Sequence, residues 1–412
     1  MKRKYRKYQE NIIKKSLPII QRYGFIYLAM EVRTGKTLTA LGIARACGFR
    51  NVVFITKKKA ISSIQSDYNL LAPNYKFNVI NYESMHKLDI TRCDFLILDE
   101  AHGMGAFPKP SKRAKDVKEF IKKHSCAVCL LSGTPTPESY SQMYHQVYGI
   151  PTNPFNQFRN FYDFASQFVK VSRKKINSMY INDYSNGLMS IVRAMQPYTI
   201  SYTQKEAGFV NEINEEILFV EMKPNTYRIA KKLKRDSVVE GAEQVILGDT
   251  PAKMLQKLHQ IYSGTIIFES GESMVLDKSK AEFIKYHFKG KKIGIFYKFK
   301  QELKVLKEVF GKENLTTELE EFDNTNKSIA LQIVSGREGI SLRKADALVY
   351  YNIDFSATSY WQSRDRMTTK FRKNSKVYWI FSDEGIEKDI YKTVIKKKDY
   401  TVNHFKKDLL SL

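Results

Sequence analysis

Four cysteines in 412 residues are too few for a disulfide framework, and Cys126-x-x-Cys129 has no second pair with which to complete a zinc site. That pair lies in the apolar run Cys126-Ala-Val-Cys-Leu-Leu131, which reads as a buried strand, so core packing explains it better than zinc or redox chemistry. No unbroken apolar run reaches the roughly 18 residues of a membrane span. The opening Met1-Lys-Arg-Lys-Tyr-Arg-Lys-Tyr8 lacks the apolar centre of a secretory signal, so a cytoplasmic protein is expected. No repeated heptad advertises a partner helix, which makes a monomer the expectation. Acidic residues are also scarce: 43 against 68 Lys and Arg, a net charge of +25 spread from end to end. A polyanion is the natural partner of such a chain, and nucleic acid the first choice, bound with a steep salt dependence.

What is present is enough apolar sequence, 43%, for two or three domains with separate cores. Met30-Glu-Val-Arg-Thr-Gly-Lys-Thr37 lies between the apolar run Phe25 to Ala29 and a helical pattern from Leu38. Gly-Lys-Thr between a buried strand and a helix is a phosphate cradle. Arg33, Thr34 and Gly35 form the loop, Lys36 reaches the outer phosphates, and the Thr37 hydroxyl holds a Mg²⁺. The first glycine of the full pattern is replaced by Met30. A second signal follows at Asp99-Glu100-Ala101-His102, which ends the run Phe95-Leu-Ile-Leu98. Paired carboxylates there suit a nucleotide-bound metal, with Asp99 on the ion and Glu100 as the base for an attacking water.

The rest of the chain alternates strand and helix around a differently patterned middle. Residues 5–23 carry apolar positions at helical spacing, and Pro18 predicts a kink or break. Gln9 in this segment is a candidate reader of adenine. Strand Asn51 to Thr56 ends at Thr56 and Lys57, either nucleic-acid contacts or a solvated turn. Ser132-Gly-Thr-Pro135 follows another apolar strand; its hydroxyls, Ser132 and Thr134, are placed to sense a γ-phosphate and to pass the signal to nucleic acid. From Pro151 to about Gly271 aromatic helical stretches and basic clusters, Arg173-Lys-Lys175 and Lys231-Lys-Leu-Lys-Arg235, replace buried strands. The basic clusters suit either a nucleic-acid groove or a solvated helix face. From Lys278 the α/β rhythm resumes, with a glycine-bearing loop at Ser335-Gly-Arg-Glu-Gly-Ile-Ser341.

Taken in order, these pieces resemble the Swi/Snf-like branch of the superfamily-two helicases and translocases. Arg6 to Gln9 is similar to the adenine-reading segment, Thr34 to Thr37 to motif I, Phe54 to Lys57 to motif Ia and Val79 to Ser84, including Tyr82, to motif Ib. Asp99 to His102 resembles motif II, Ser132 to Pro135 motif III, Ile295 to Phe299 motif IV, Ser335 to Leu342 motif V, and Tyr360 to Arg366 motif VI. The resemblance implies an α/β protein of two RecA-like parallel-sheet domains in tandem, residues 1–150 and 276–412, with a helical insert over 151–275. It implies ATP and Mg²⁺ as cofactors and DNA, duplex or branched, as the track, with RNA as an alternative. It also implies nucleotide contacts from His102, Gly339, Arg364 and Arg372, and nucleic-acid contacts from Tyr82, Lys298, Ser335 and Gly336. The compact chain is similar to phage or bacterial members, acting in the bacterial or phage-infected cytoplasm.

Motif VI departs from the family pattern, because Gln362-Ser-Arg-Asp-Arg-Met-Thr-Thr-Lys-Phe-Arg372 has Thr369 where the second arginine would stand. A finger arginine is worth on the order of 10³ to 10⁵ in rate. Arg366, with Arg364 or Arg372, is therefore expected to fill that role. The departure also leaves a second reading open, an ATP-switched DNA clamp with weak turnover.

Overall fold

The structure, a computed structural model, describes residues 4–176, 179–210, 212–241, 244–336, 340–369 and 372–396. Its first unit ends at Gly208 and its second begins at Phe209.

In the first unit, α1 (Lys7–Tyr23) leads into β1 (Phe25–Met30), whose six residues are all buried. A strand covered on both faces must be apolar throughout, and Phe-Ile-Tyr-Leu-Ala-Met meets that condition. There follow α2 (Lys36–Ala46), β2 (Asn51–Thr56), α3 (Ile61–Leu71), β3 (Lys76–Asn81), β4 (Phe95–Leu98), α4 (Lys112–His124) and β5 (Ala127–Ser132). Beyond these come α5 (Met143–Gln146), α6 (Phe161–Phe168), the paired strands β6 (Ser172–Ile176) and β7 (Met179–Asp183), α7 (Met189–Met195) and β8 (Thr199–Tyr202). The sheet runs β3-β2-β4-β5-β1-β8, every pair parallel. Two apolar clusters cover its faces, one centred on α1 and α2 and the other on α4 to α7.

The second unit opens with β9 (Glu212–Val220), followed by α8 (Pro224–Asp236), β10 (Val238–Glu240), β11 (Val245–Leu247), α9 (Pro251–Tyr262), β12 (Thr265–Ile267) and β13 (Ser273–Val275). Then come α10 (Ser279–His287), β14 (Ile293–Tyr297), α11 (Lys300–Phe310), β15 (Leu315–Thr316), α12 (Leu319–Asn324), β16 (Ser328–Gln332) and α13 (Ile333–Gly336). The last elements are β17 (Ala347–Tyr350), α14 (Ala357–Arg364), β18 (Asn374–Ser382) and α15 (Glu387–Lys396). This sheet runs β15-β16-β14-β17-β18-β9 and is again wholly parallel. Two parallel sheets, each between helices, are the two RecA-like α/β domains that the motif order implied.

The structure differs from the sequence-based expectations in two places. The helical connector over 151–275 is divided between the units: β8 extends the first sheet, β9 extends the second, and β6–β7, β10–β11 and β12–β13 are short antiparallel pairs. β9 escaped notice because Glu212, Glu215 and Glu216 interrupt its apolar pattern. Pro18 does not break α1, which runs uninterrupted from Lys7 to Tyr23. Both Pro18 and Lys14, whose carbonyl loses its amide partner, lie on the exposed side of the helix, where water can replace the missing bond.

Candidate active site

Four adjacent parallel strands, β2, β4, β5 and β1, end on one edge of the first sheet, and the sequence-predicted residues follow directly from their carboxyl ends. From β1 the chain passes through Glu31 to Gly35 into α2. Both Arg33 (φ 64°) and Gly35 (φ 81°) are left-handed, which turns the loop sharply enough to present the helix N-terminus. The loop is held from beneath. The Thr34 hydroxyl donates to the Glu31 carbonyl (2.6 Å), the Tyr8 hydroxyl to the Thr34 carbonyl (2.9 Å), and the Gln9 amide to the Gly35 carbonyl (3.2 Å). Gln9 also accepts from the Arg6 amide at 2.9 Å, and with 2% exposure it is a buried strut of the loop.

Lys36 Nζ lies 3.9 Å from Glu100 Oε1. Gly133, in the turn after β5, makes room for it: a Cβ there would sit 3.2 Å from Nζ. Asp99 follows β4 and accepts a hydrogen bond from the Thr56 hydroxyl at 2.8 Å. Burial, and then the Glu100 charge, push the Asp99 carboxyl up to about 6, against the attraction of Lys36 and the Thr56 hydrogen bond. Glu100 itself is left-handed, with φ 50°. That conformation costs a non-glycine residue of order 1 kcal/mol and sets adjacent carboxylates to different partners. His102 Nδ1 lies 3.3 Å from Glu100 Oε2 and 3.0 Å from Ser132 Oγ, and Ser132 Oγ in turn accepts from the Thr134 amide at 3.1 Å. The acid pair, the histidine and the Ser-Gly-Thr turn thus form one connected chain of polar contacts.

Several residues expected at nucleic acid turn inward instead. Thr56 and Ser132 are fully buried, Thr134 is 6% exposed, and Tyr82 is 3% exposed with its hydroxyl on the Asp99 carbonyl at 2.7 Å. Lys57 is half-buried just after β2. In the second unit, Lys298 is ion-paired with Asp354 at 3.0 Å over the Phe355 ring. Ser335 and Gly336 end α13, while Gly339 lies outside the described residues.

The candidate arginines have separate fates. Arg364, expected at the nucleotide, instead pairs with Glu215 of β9 at 2.8 Å. The same carboxylate accepts from Tyr360 (2.7 Å), Trp379 (2.9 Å) and Tyr391 (3.3 Å), which makes it the polar centre of that face of the sheet. Arg372, also expected at the nucleotide, donates to the Ala345 carbonyl at 2.7 Å and to the Arg343 carbonyl at 3.3 Å. Its partial burial lowers the guanidinium pKa. Arg366 is 9% exposed and donates to the Ile340 carbonyl at 3.2 Å, which holds it against that stretch of backbone.

Sequence reasoning missed a brace on the phosphate loop. Tyr202 stacks on Tyr8 with centroids 4.7 Å apart, the Gln204 amide donates to Glu31 Oε2 at 2.6 Å, and its side chain donates to the Val32 carbonyl at 3.1 Å. These contacts join residues more than 170 apart in the chain, and no local signal marks them.

Among the described residues no group of three or more His, Cys, Asp or Glu side chains forms a metal cluster, and no helix is long and apolar enough to cross a membrane. Comparison with curated proteins gives no match. Among solved structures, the chain is similar to the SWI2/SNF2 ATPase core of Sulfolobus solfataricus in complex with dsDNA. That match has 17% identity and a TM-score of 0.44, and covers 97% of this chain and 94% of the other. The Sulfolobus solfataricus SWI2/SNF2 ATPase core domain alone is matched at 16% identity and a TM-score of 0.41, over 96% and 89% of the two chains. The family model described as SNF2-related domain matches residues 28–265, more than half of the chain and inclusive of the phosphate loop, the acid pair and the Ser-Gly-Thr turn. The chain belongs to the SNF2-related family.

Proposed function

We propose that the chain is a nucleic-acid-dependent ATPase that translocates on DNA and remodels or unwinds DNA structures, with ATP and Mg²⁺ as cofactors. The observation that carries this reading is the approach of Lys36 Nζ to Glu100 Oε1, 3.9 Å, beside Asp99. The donor set fits a magnesium nucleotide. An ammonium and a helix N-terminus suit phosphate oxygens, and a carboxylate pair in which Asp99 is pushed up to about 6 has room for added positive charge.

In this reading the α2 N-terminus and Lys36 bind phosphate oxygens, Thr37 and Asp99 hold the metal, and Glu100 orients the attacking water and accepts its proton. Bound ATP supplies the phosphoanhydride that is hydrolysed. Because His102 touches both Glu100 and Ser132, a change of charge at Glu100 is transmitted to the Ser-Gly-Thr turn. Gln9 and Tyr8 fix the loop that carries Lys36, and Arg33 and Thr34 shape it. The second RecA-like domain contributes Arg366 as the finger when the domains close. The net charge of +25 supports a polyanionic track, and the protein acts as a monomer.

The test is ATP turnover without nucleic acid and with duplex DNA, single-stranded DNA and RNA. Strong stimulation by duplex DNA, lost in Lys36→Ala and Glu100→Gln, is the expected result; no stimulation by any nucleic acid overturns the reading. The alternative of an ATP-switched clamp is favoured by Thr369 in the second-arginine position and by the engagement of Arg364 with Glu215. It would show as nucleotide-dependent retention of DNA with negligible turnover. Stimulation by RNA alone would mark an RNA helicase.

A further inference from the structure

The β6–β7 ribbon is set apart from both sheets. Its strands pair antiparallel with each other and, among the described residues, with no other strand. Its base is anchored in the first unit. Val169 bridges Gly187, the Lys170 amide donates to the Asn186 carbonyl, and the Leu188 amide donates to the Phe168 carbonyl. Val169 is buried in the same cluster as Phe164, the Tyr184 ring packs on Phe161 and Tyr162, and Ser141 Oγ donates to the Tyr184 carbonyl at 2.7 Å. Gly187 lies so close to Ser141 that a Cβ would fall 2.6 Å from its backbone nitrogen. The ribbon's direction is therefore fixed where it leaves the core.

Its outer part is not packed. Tyr180 is 70% exposed and Ile181 48%. A lone two-stranded ribbon is marginal in water, so exposed apolar surface on one is explained best by a ligand that covers it. The register shows what that ligand meets. Arg173 pairs with Asn182 and Lys175 with Tyr180. Register partners share a face and alternate residues repeat it, so Arg173, Asn182 and Tyr180 lie on one side. A cation, an amide and an aromatic ring make a face suited to phosphates and base edges. Between residues 170 and 183 the sequence carries Lys170, Arg173, Lys174 and Lys175 against the single acid Asp183. Five residues per strand give a ribbon roughly 16 Å long, and a two-stranded ribbon fits the B-DNA major groove, which is about 12 Å wide.

We propose that the β6–β7 ribbon is an accessory duplex-DNA contact laid along a groove, with the Arg173–Asn182–Tyr180 face toward the DNA and independent of bound nucleotide. This rests on the reading that DNA is the track. It also supplies an outward-facing contact where Thr56, Tyr82, Ser132 and Thr134 turn inward.

The test uses the full chain and its Arg173→Ala, Tyr180→Ala and doubly substituted forms. Each is checked for an unchanged melting temperature, as expected for exposed positions. Binding to a fluorescein-labelled blunt duplex is measured by anisotropy over a salt series without nucleotide, and duplex-stimulated ATP turnover is measured in parallel. The expected result is a Kd raised about tenfold in the double variant, a salt slope reduced by about one for Arg173→Ala, and a matching rise in the duplex concentration giving half-maximal turnover. Unchanged affinity and slope in the variants, while the parent chain binds duplex and is stimulated by it, overturn the ribbon's role alone. A parent chain that neither binds duplex nor responds to it overturns the translocase reading. A change in sedimentation of the Tyr180→Ala form, with duplex affinity intact, assigns the ribbon to self-association and overturns the proposal.

Discussion

Acidification tests the second unit's buried polar network through one side chain. His259, on α9, is fully buried between the rings of Phe299 and Phe355, with Nε2 against Asn352 Oδ1. Asn352 Nδ2 donates to Glu302 Oε1 at 2.7 Å, and Glu302 Oε2 accepts the Lys298 and Phe299 amides at 2.6 and 3.0 Å. Burial first, then the Lys298 charge, hold the imidazole neutral and pull its pKa to about 3; Asn352 and Asp354 act the other way. The unfolded chain binds a proton on this histidine below about pH 6.5, and the folded chain does not until about pH 3. Between those values the unfolded state holds more protons, so stability falls as pH falls, by up to about 1.4 kcal/mol per unit. Integrated from pH 7 to pH 5, the contribution is about 2 kcal/mol. His259→Gln retains an amide donor for Asn352 and cannot titrate. Both tryptophans, Trp361 and Trp379, fall in the second unit, so urea denaturation followed by tryptophan fluorescence reports that unit. The parent should lose about 2 kcal/mol more than His259→Gln between pH 7 and pH 5. Glu302, whose burial raises its carboxyl, is common to both chains and drops out of the difference. Equal losses would refute the reasoning.

Three further perturbations follow from the geometry. Lys280→Met strands Glu387, with which Lys280 forms an ion pair fully shielded from solvent; denaturation should show a loss of about 3–5 kcal/mol, largely recovered in Lys280→Met with Glu387→Leu. Gly35→Ala combines a left-handed backbone with a Cβ 2.4 Å from the Gln9 amide nitrogen; its melting temperature should fall, and any ATP turnover should drop more than tenfold. Asp99→Asn removes a carboxylate pushed up to about 6 by burial and by Glu100. The folded chain there binds a proton that the unfolded chain has released, so stability falls as pH rises from about 4 to about 6. At pH 8 without ligands the Asn form should be more stable, by about 1–2 kcal/mol once partial solvent screening is allowed for, as read by urea denaturation.

The core strands were legible because burial on both faces demands uninterrupted apolar sequence: Phe25 to Met30 and Phe95 to Leu98 carry that mark, and the polar residues after them form the site edge. The same rule hid β9, an edge strand whose glutamates serve solvent on one side and Arg364 on the other. The resemblance to motif VI implied Arg364 at the nucleotide, but the Glu215 that engages it lies 149 positions away, a distance no local pattern spans. Likewise the hydroxyls of Thr56 and Tyr82 were visible as polar residues at strand ends, while their inward direction depends on Asp99, which only the fold brings beside them. The ribbon's charge was visible as Arg173-Lys-Lys175, but its β pairing was not, because the surrounding aromatic helical stretches set the pattern there.

Among the described residues β9 pairs only with β18, and Glu215 meets Trp379 across 164 residues of chain. At a ribosomal pace of about 5–20 residues per second, β9 leaves the exit tunnel roughly 8–30 seconds before its partner. During that interval Ile213 and Ile217 have no strand beside them, and charges such as those of Glu212, Glu215 and Glu216 are of the kind that discourages edge-to-edge association of an unpaired strand. The glutamate that later centres one face of the mature sheet thus already carries its charge on the waiting strand, so neutralising it should lower soluble yield as well as stability.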